Sequence, residues 1–222
     1  MALDIILRDP TSGAGAAIDA NSSGLLVANR SLGYDFQYQV AQVTGTIAAA
    51  AAANAVFFTL RNSPTANPAS QMLHIQRIRL MYTTIVAYTT PITAGRRLEL
   101  IKATAASAAF TGGAAVTTAT KKVTSSVASQ ADAASGGDIR IATTGALTAP
   151  GTITYDAQPI ATFTLSHVGA AGAYAEKVID LIGVNDQPIE LAAGEFLAIR
   201  NPAAMDAAGT WQLGVEVDLY QG

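Results

Sequence analysis

Apolar and polar side chains alternate with a period of two in three stretches of the chain. Over residues 34–40, Tyr34, Phe36, Tyr38 and Val40 share one parity, and Asp35, Gln37 and Gln39 the other. Over residues 211–219, Trp211, Leu213, Val215, Val217 and Leu219 alternate with Gln212, Gly214, Glu216 and Asp218. Successive strand side chains point to opposite faces, so this pattern predicts strands with one face in a core and one in water. The third stretch, 73–82, changes parity. Leu73 and Ile75 set one face, then Ile78, Leu80 and Tyr82 take the other. A β-bulge produces such a slip, as does a strand that switches sheets.

Shorter apolar runs predict further strands at 4–7, 25–28, 56–61, 97–102, 160–165, 178–182 and 196–200. Turn chemistry separates many of them, as in Asn62-Ser63-Pro64, Thr93-Ala94-Gly95, Ala192-Ala193-Gly194 and Asn201-Pro202. About ten short strands rich in β-branched and aromatic residues predict an all-β fold, a β-sandwich of jelly-roll-like form. The alanine run 48–53 has high helix propensity, but it is short and lies between strands, so a connecting turn is expected there.

Two regions depart from this pattern. Residues 103–151 are rich in Ala, Thr, Ser and Gly, with the pairs Gly112-Gly113 and Gly136-Gly137. Their few large anchors are Phe110, Val116, Val123, Val127, Ile139, Ile141 and Leu147. They read as a long small-residue insertion leaving the sandwich, extended or partly β, suited to close packing on a neighbouring subunit, with a disordered loop as the alternative. Residues 9–25 are also small and polar, and they follow the apolar piece Leu3, Ile5, Leu7. This predicts an N-terminal arm over 1–24, ahead of one sandwich domain over 25–222. Such an arm can add to a neighbour's sheet, or form an ordinary edge strand of its own domain. One internal echo stands out. Leu60-Arg61-Asn62 and Ile199-Arg200-Asn201 each end an apolar strand and lead to a proline turn, with Arg expected at the exit to solvent.

Composition narrows the function classes. Only 13% of residues are charged, about half the usual ~25%. A surface so poor in charge points to cover by other protein chains. The formal net charge is −3, without the basic excess that phosphate neutralisation needs, so direct nucleic-acid binding is not expected. No apolar run approaches the ~20 residues of a membrane helix. The first residues lack the basic and apolar regions of a signal peptide, and there is no cysteine. Assembly in the cytoplasm is the expectation.

Candidate chemistry is sparse, and no cofactor or metal is expected. His74 and His167 have no partner at metal-ligand spacing. There is no nucleophile elbow, and the glycine pairs lack the following helix of a phosphate loop. Asp4, Asp9, Asp19 and Asn21 lack EF-hand spacing and read as turn formers. The densest positive feature is Arg77, Arg79, Arg96 and Arg97. Paired with Glu99 or with a neighbour's carboxylates, these arginines would form an inter-strand or inter-subunit network. A glycan or phosphate patch is the sharper alternative.

Several segments resemble virion structural proteins of tailed bacteriophages. They are Arg8-Asp9-Pro10-Thr11-Ser12-Gly13 and the run from Ile18 to Val27, then Leu60-Arg61-Asn62 with the run from His74 to Leu80. Gly194-Glu195-Phe196, Arg200-Asn201-Pro202 and Gly209-Thr210-Trp211 complete the set. The resemblance spans most strand segments but not residues 103–151. It implies a non-enzymatic β-sandwich that assembles as a trimer. The expectation is a capsid decoration, or cement, protein on the virion surface, contacting the major capsid protein and copies of itself. Leu3, Ile5, Leu7, Leu25, Arg77, Arg79, Arg96 and Arg97 are the candidate contacts. A tail, fibre or receptor-binding protein with a carbohydrate-binding sandwich is the alternative. A glycan hydrolase would need two carboxylates across a cleft, and no local motif supplies them.

Overall fold

The computed structural model describes residues 17–18, 25–26, 37–48, 51–62, 72–88, 96–106, 108–122, 128–129, 131–132, 137–165, 170–181, 187–205 and 209–221. The chain divides into two units, Met1–Leu32 and Gly33–Gly222. In the first, β1 (Ala17–Ile18) pairs antiparallel with β2 (Leu25–Leu26), Ile18 opposite Leu25. This pairing joins residues on both sides of position 24. The expected strand at 4–7 lies outside the described residues.

The second unit is all-β among the described residues. In order its strands are β3 (Gln37–Val43), β4 (Ile47–Ala48), β5 (Val56–Arg61), β6 (Leu73–Val86), β7 (Arg96–Ala106), β8 (Ala114–Ala115) and β9 (Thr120–Lys121). Then come β10 (Asp138–Ile141), β11 (Ile153–Tyr155), β12 (Ala161–Leu165), β13 (Tyr174–Asp180), β14 (Ile189–Leu191), β15 (Phe196–Arg200) and β16 (Thr210–Gln221). They form two antiparallel sheets packed face to face, a β-sandwich. One runs β11-β7-β15-β5-β10-β8, with β12 also on β7. The other runs β13-β6-β16-β3-β9, with β14 on β6 and β4 on β16. At their centres lie the quartets β12-β7-β15-β5 and β13-β6-β16-β3. The chain visits them in the order β3, β5, β6, β7, β12, β13, β15, β16, which is the winding of a jelly roll.

The alternation in the sequence sets the core. Trp211, Leu213, Val215, Val217 and Leu219 of β16 are all buried, while Gln212, Glu216 and Asp218 are half-buried on the other face. Phe57 of β5 meets Trp211 across the sandwich, edge to face at 4.8 Å, and Tyr82 of β6 stacks on Trp211 at 5.3 Å. The parity slip in β6 is a bulge. Asp218 lies opposite Arg77 and Leu219 opposite Ile75, so Gln76 is the extra residue. It lets Leu73 and Ile75 share the core with Ile78, Leu80 and Tyr82 within one continuous strand. Of the alanine run, Ala48 ends β4, and residues 51–53 lead into a turn in which Asn54 takes a φ of 63°.

The segment 103–151, expected as an excursion, contributes strands and core residues to the sandwich. Its β10 pairs with β5, from Asp138 opposite Arg61 to Ile141 opposite Phe58. Phe110, Ile139, Ile141 and Leu147 are buried, and Phe110 meets Phe196 of β15 edge to face at 5.4 Å. The edge of β5 needs a partner for its backbone groups, and Ile139 and Ile141 supply the period-two face that suits it. Two buried carboxylates fix this segment. Asp138 accepts hydrogen bonds from the Phe110 amide at 3.0 Å and from Arg140 Nε at 2.8 Å. Asp132 accepts one from the Ala119 amide at 2.7 Å.

The Arg-Asn echo has a structural reason. Strands β5 and β15 are antiparallel neighbours, and the asparagine ending each one closes the turn that feeds the other. Asn62 Nδ2 donates to Leu191 O at 2.8 Å, just before β15. Asn201 Nδ2 donates to Ala52 O at 2.9 Å, just before β5, and to Ala203 O at 2.8 Å. Both asparagines are buried. The arginine does not simply mark an exit to solvent, however. Arg200 is half-buried, with Nε 3.1 Å from Glu99 Oε2 and its guanidinium 4.6 Å from the centre of the Tyr155 ring.

Candidate functional site

The outward face of the β13-β6-β16-β3 quartet carries an ordered array of charge. Strand register places side chains in rows across it. Asp180, Arg77, Asp218 and Gln39 form one row, and Val178, Arg79, Glu216 and Ala41 form the next. Glu176, Met81, Gly214 and Val43 form a third. Cross-strand neighbours of opposite sign lie within reach of one another, the geometry that stabilises a sheet face. Arg79 donates to Glu176 Oε1 from Nε at 2.6 Å and to Glu216 Oε2 from Nη1 at 3.3 Å. These bonds raise the Arg79 pKa further, and the Arg79 bond holds the Glu176 carboxyl below the usual carboxylate range. The Tyr174 hydroxyl donates to the other Glu176 oxygen at 2.7 Å, which raises the Tyr174 pKa. Lys122, beyond β3, reaches Asp218 Oδ1 at 2.6 Å.

Beside this array the face turns apolar. Val43 is 59% exposed, Tyr174 53% and Val178 39%. Met81 lies over Gly214, where an added Cβ would meet its Cε at 2.8 Å. Between Gln39, Arg77, Arg79, Glu216 and Asp218 there is a recess of about 20 Å³. That is room for one water, not for a sugar ring. Among the described aromatic residues Tyr174 alone is exposed, so they supply no stacking platform for a glycan.

Of the expected contact residues, Arg77 and Arg79 stand together on this face. Arg96 and Arg97 belong to β7 in the other sheet, where Arg97 is exposed opposite Thr164. Arg96 and Arg97 therefore share no sheet with Arg77 and Arg79. Glu99 is not the partner of Arg77 and Arg79 either, since it lies on β7 and pairs with Arg200. Leu25 pairs with Ile18 in β2, while Leu3, Ile5 and Leu7 lie outside the described residues, as do Asp4, Asp9 and His167. His74 stacks on Tyr220 at 4.5 Å, with Nδ1 3.5 Å from Glu190 Oε1. Burial lowers its pKa against the pull of that carboxylate. Among the described residues no three His, Asp or Glu side chains gather as a metal site. Gly112 and Gly113 have φ values of 76° and 57°, and a Cβ on Gly113 would lie 2.3 Å from Ile141 O. Their role is a turn pressed against β10.

Sequence reasoning missed Glu176, Glu216, Asp218 and Lys122 as partners on this face. The polar parity of β16 marked Glu216 and Asp218 as outward, but only the register puts them beside the arginines.

The fold and this face together define a jelly-roll sandwich with charges paired across one outer sheet face. Compared with protein-family models and with curated proteins, the chain matches none.

Proposed function

We propose that this chain is a non-enzymatic structural protein of a tailed-phage particle, a decoration protein that seats on the major capsid shell. In this reading it works in many symmetric copies, as trimers, without contacting nucleic acid or membrane. The observation that carries the proposal is the outer sheet face. Arg79, Glu176 and Glu216 satisfy one another within the chain, and exposed Val43, Val178 and Tyr174 lie beside them. Charges already paired lose less on burial than lone charges do, so such a face is suited to contact with protein. The jelly-roll winding supports the reading by analogy of fold, because capsid domains use it, though lectins and cupins use it too.

The test is addition of the purified chain to capsid shells that lack it. Co-sedimentation at a fixed copy number, with a rise in the temperature of shell rupture, is the expected result. A chain that stays in the supernatant while the shells rupture at an unchanged temperature overturns the proposal.

A further inference from the structure

We infer that the outer face of the β13-β6-β16-β3 quartet is a two-fold contact between copies of this chain. The same face carries the shell reading, and one copy cannot offer it to the shell and to a mate at once. The contact is therefore one that isolated chains form in solution, and it stands or falls independently of that reading.

The charge pattern is self-complementary. Arg77 and Arg79 stand on β6, and directly opposite on the neighbouring strand β16 stand Asp218 and Glu216. A two-fold axis parallel to the strands, midway between β6 and β16, lays β6 of one copy over β16 of the other at the same height. Arg79 of each copy then faces Glu216 of its mate, and Arg77 faces Asp218. The same axis lays β13 over β3, so Val178 meets Ala41 and Glu176 meets Val43. An isologous interface requires this reciprocity, and two stacked sheets with nearly aligned strands are a common packing. The occupant is thus a second copy, since the face supplies both halves of the match.

The size of the face sets the strength. Four strands span about 19 Å and the seven residues of β13 run about 23 Å, giving roughly 440 Å² per copy. The total of roughly 900 Å² lies below the ~1,200–2,000 Å² of stable specific complexes. The pairing is therefore weak and is expected only at high protein concentration.

The test is sedimentation of the full chain over a range of concentrations, with two charge-reversed variants. R77E/R79E sets acid over acid across the two-fold, and E216R/D218R sets base over base. Each alone is expected to lose self-association by about tenfold or more, and their equimolar mixture to regain it as a mixed pair. A chain that is monomeric at every concentration overturns the inference, as does association that the reversals leave intact or that mixing does not restore. Should a reversed variant fail to fold, Val43 supplies the decision. V43E faces Glu176 of the mate and is expected to weaken association, whereas V43K is expected to keep or strengthen it. Equal behaviour of V43E and V43K overturns the two-fold geometry.

Discussion

Asn201→Ala removes one half of the reciprocal clamp between β5 and β15. The side chain is wholly buried and its Nδ2 donates to both Ala52 O and Ala203 O. These bonds lie partly toward solvent, so each carbonyl that loses its donor costs about 1 kcal/mol, the low end for an unsatisfied group. Asn201 Oδ1 has no hydrogen-bond partner, so truncation also relieves one unpaired oxygen, while the emptied volume works in the opposite direction. With these two effects opposed, the net cost is about 2 kcal/mol, a fall in Tm of about 4–8 °C for a domain of this size. The single tryptophan, Trp211, lies in the core and reports unfolding by fluorescence. Asn201→Asp separates hydrogen bonding from packing. It keeps the shape but points a carboxylate at two carbonyl oxygens, so it should cost more than Ala. An Asp variant as stable as the parent, or an Ala variant within 1 °C of it, would refute the clamp.

Burial pushes the Asp132 and Asp138 carboxyls above the usual carboxylate range. A raised folded-state value favours the fold below the unfolded value near 3.8, and that contribution is lost as pH rises through the folded value. Asp132→Asn still accepts from the Ala119 amide without a charge, so its urea stability should gain on the parent as pH rises from about 3.5 to 6; a gap independent of pH contradicts this. Gly45→Ala would set a Cβ 2.1 Å from Thr143 O and should cost about 3 kcal/mol, whereas Gly145→Ala meets nothing within 4 Å and should stay within about 0.5 kcal/mol. Urea midpoints compare the two, and equal costs would contradict the packing. Lys177 falls on the core-facing parity of edge strand β13 yet is exposed, the kind of inward charge that discourages edge-to-edge pairing. Lys177→Val should raise light scattering on storage, and unchanged scattering would count against that role.

Much of the sandwich was legible because its strongest strands carry their own signal. The alternation around Trp211 places β16, and the parity slip after Ile75 marks the bulge at Gln76. The runs 56–61 and 196–200 match β5 and β15 at both ends. Pairing across the sheet was less legible. Glu99 lies close in sequence to Arg96 and Arg97 and looked available to every nearby arginine, but β7 and β6 belong to different sheets. Register, which no local pattern encodes, decides that Arg79 meets Glu216, 137 positions away. Low-complexity composition likewise hid β10, whose Asp138 is anchored by an amide 28 residues earlier. The echo of Arg-Asn was visible as repetition, but its meaning needed the adjacency of β5 and β15.

The proposed role in an assembly is tested most directly by counting this chain in purified particles by quantitative mass spectrometry against the major capsid protein. A copy number in fixed ratio to the shell protein, lost together with heat resistance when the chain is deleted, is the result expected of a decoration protein. A chain missing from the particles, or present in only the few copies of a tail component, would contradict it.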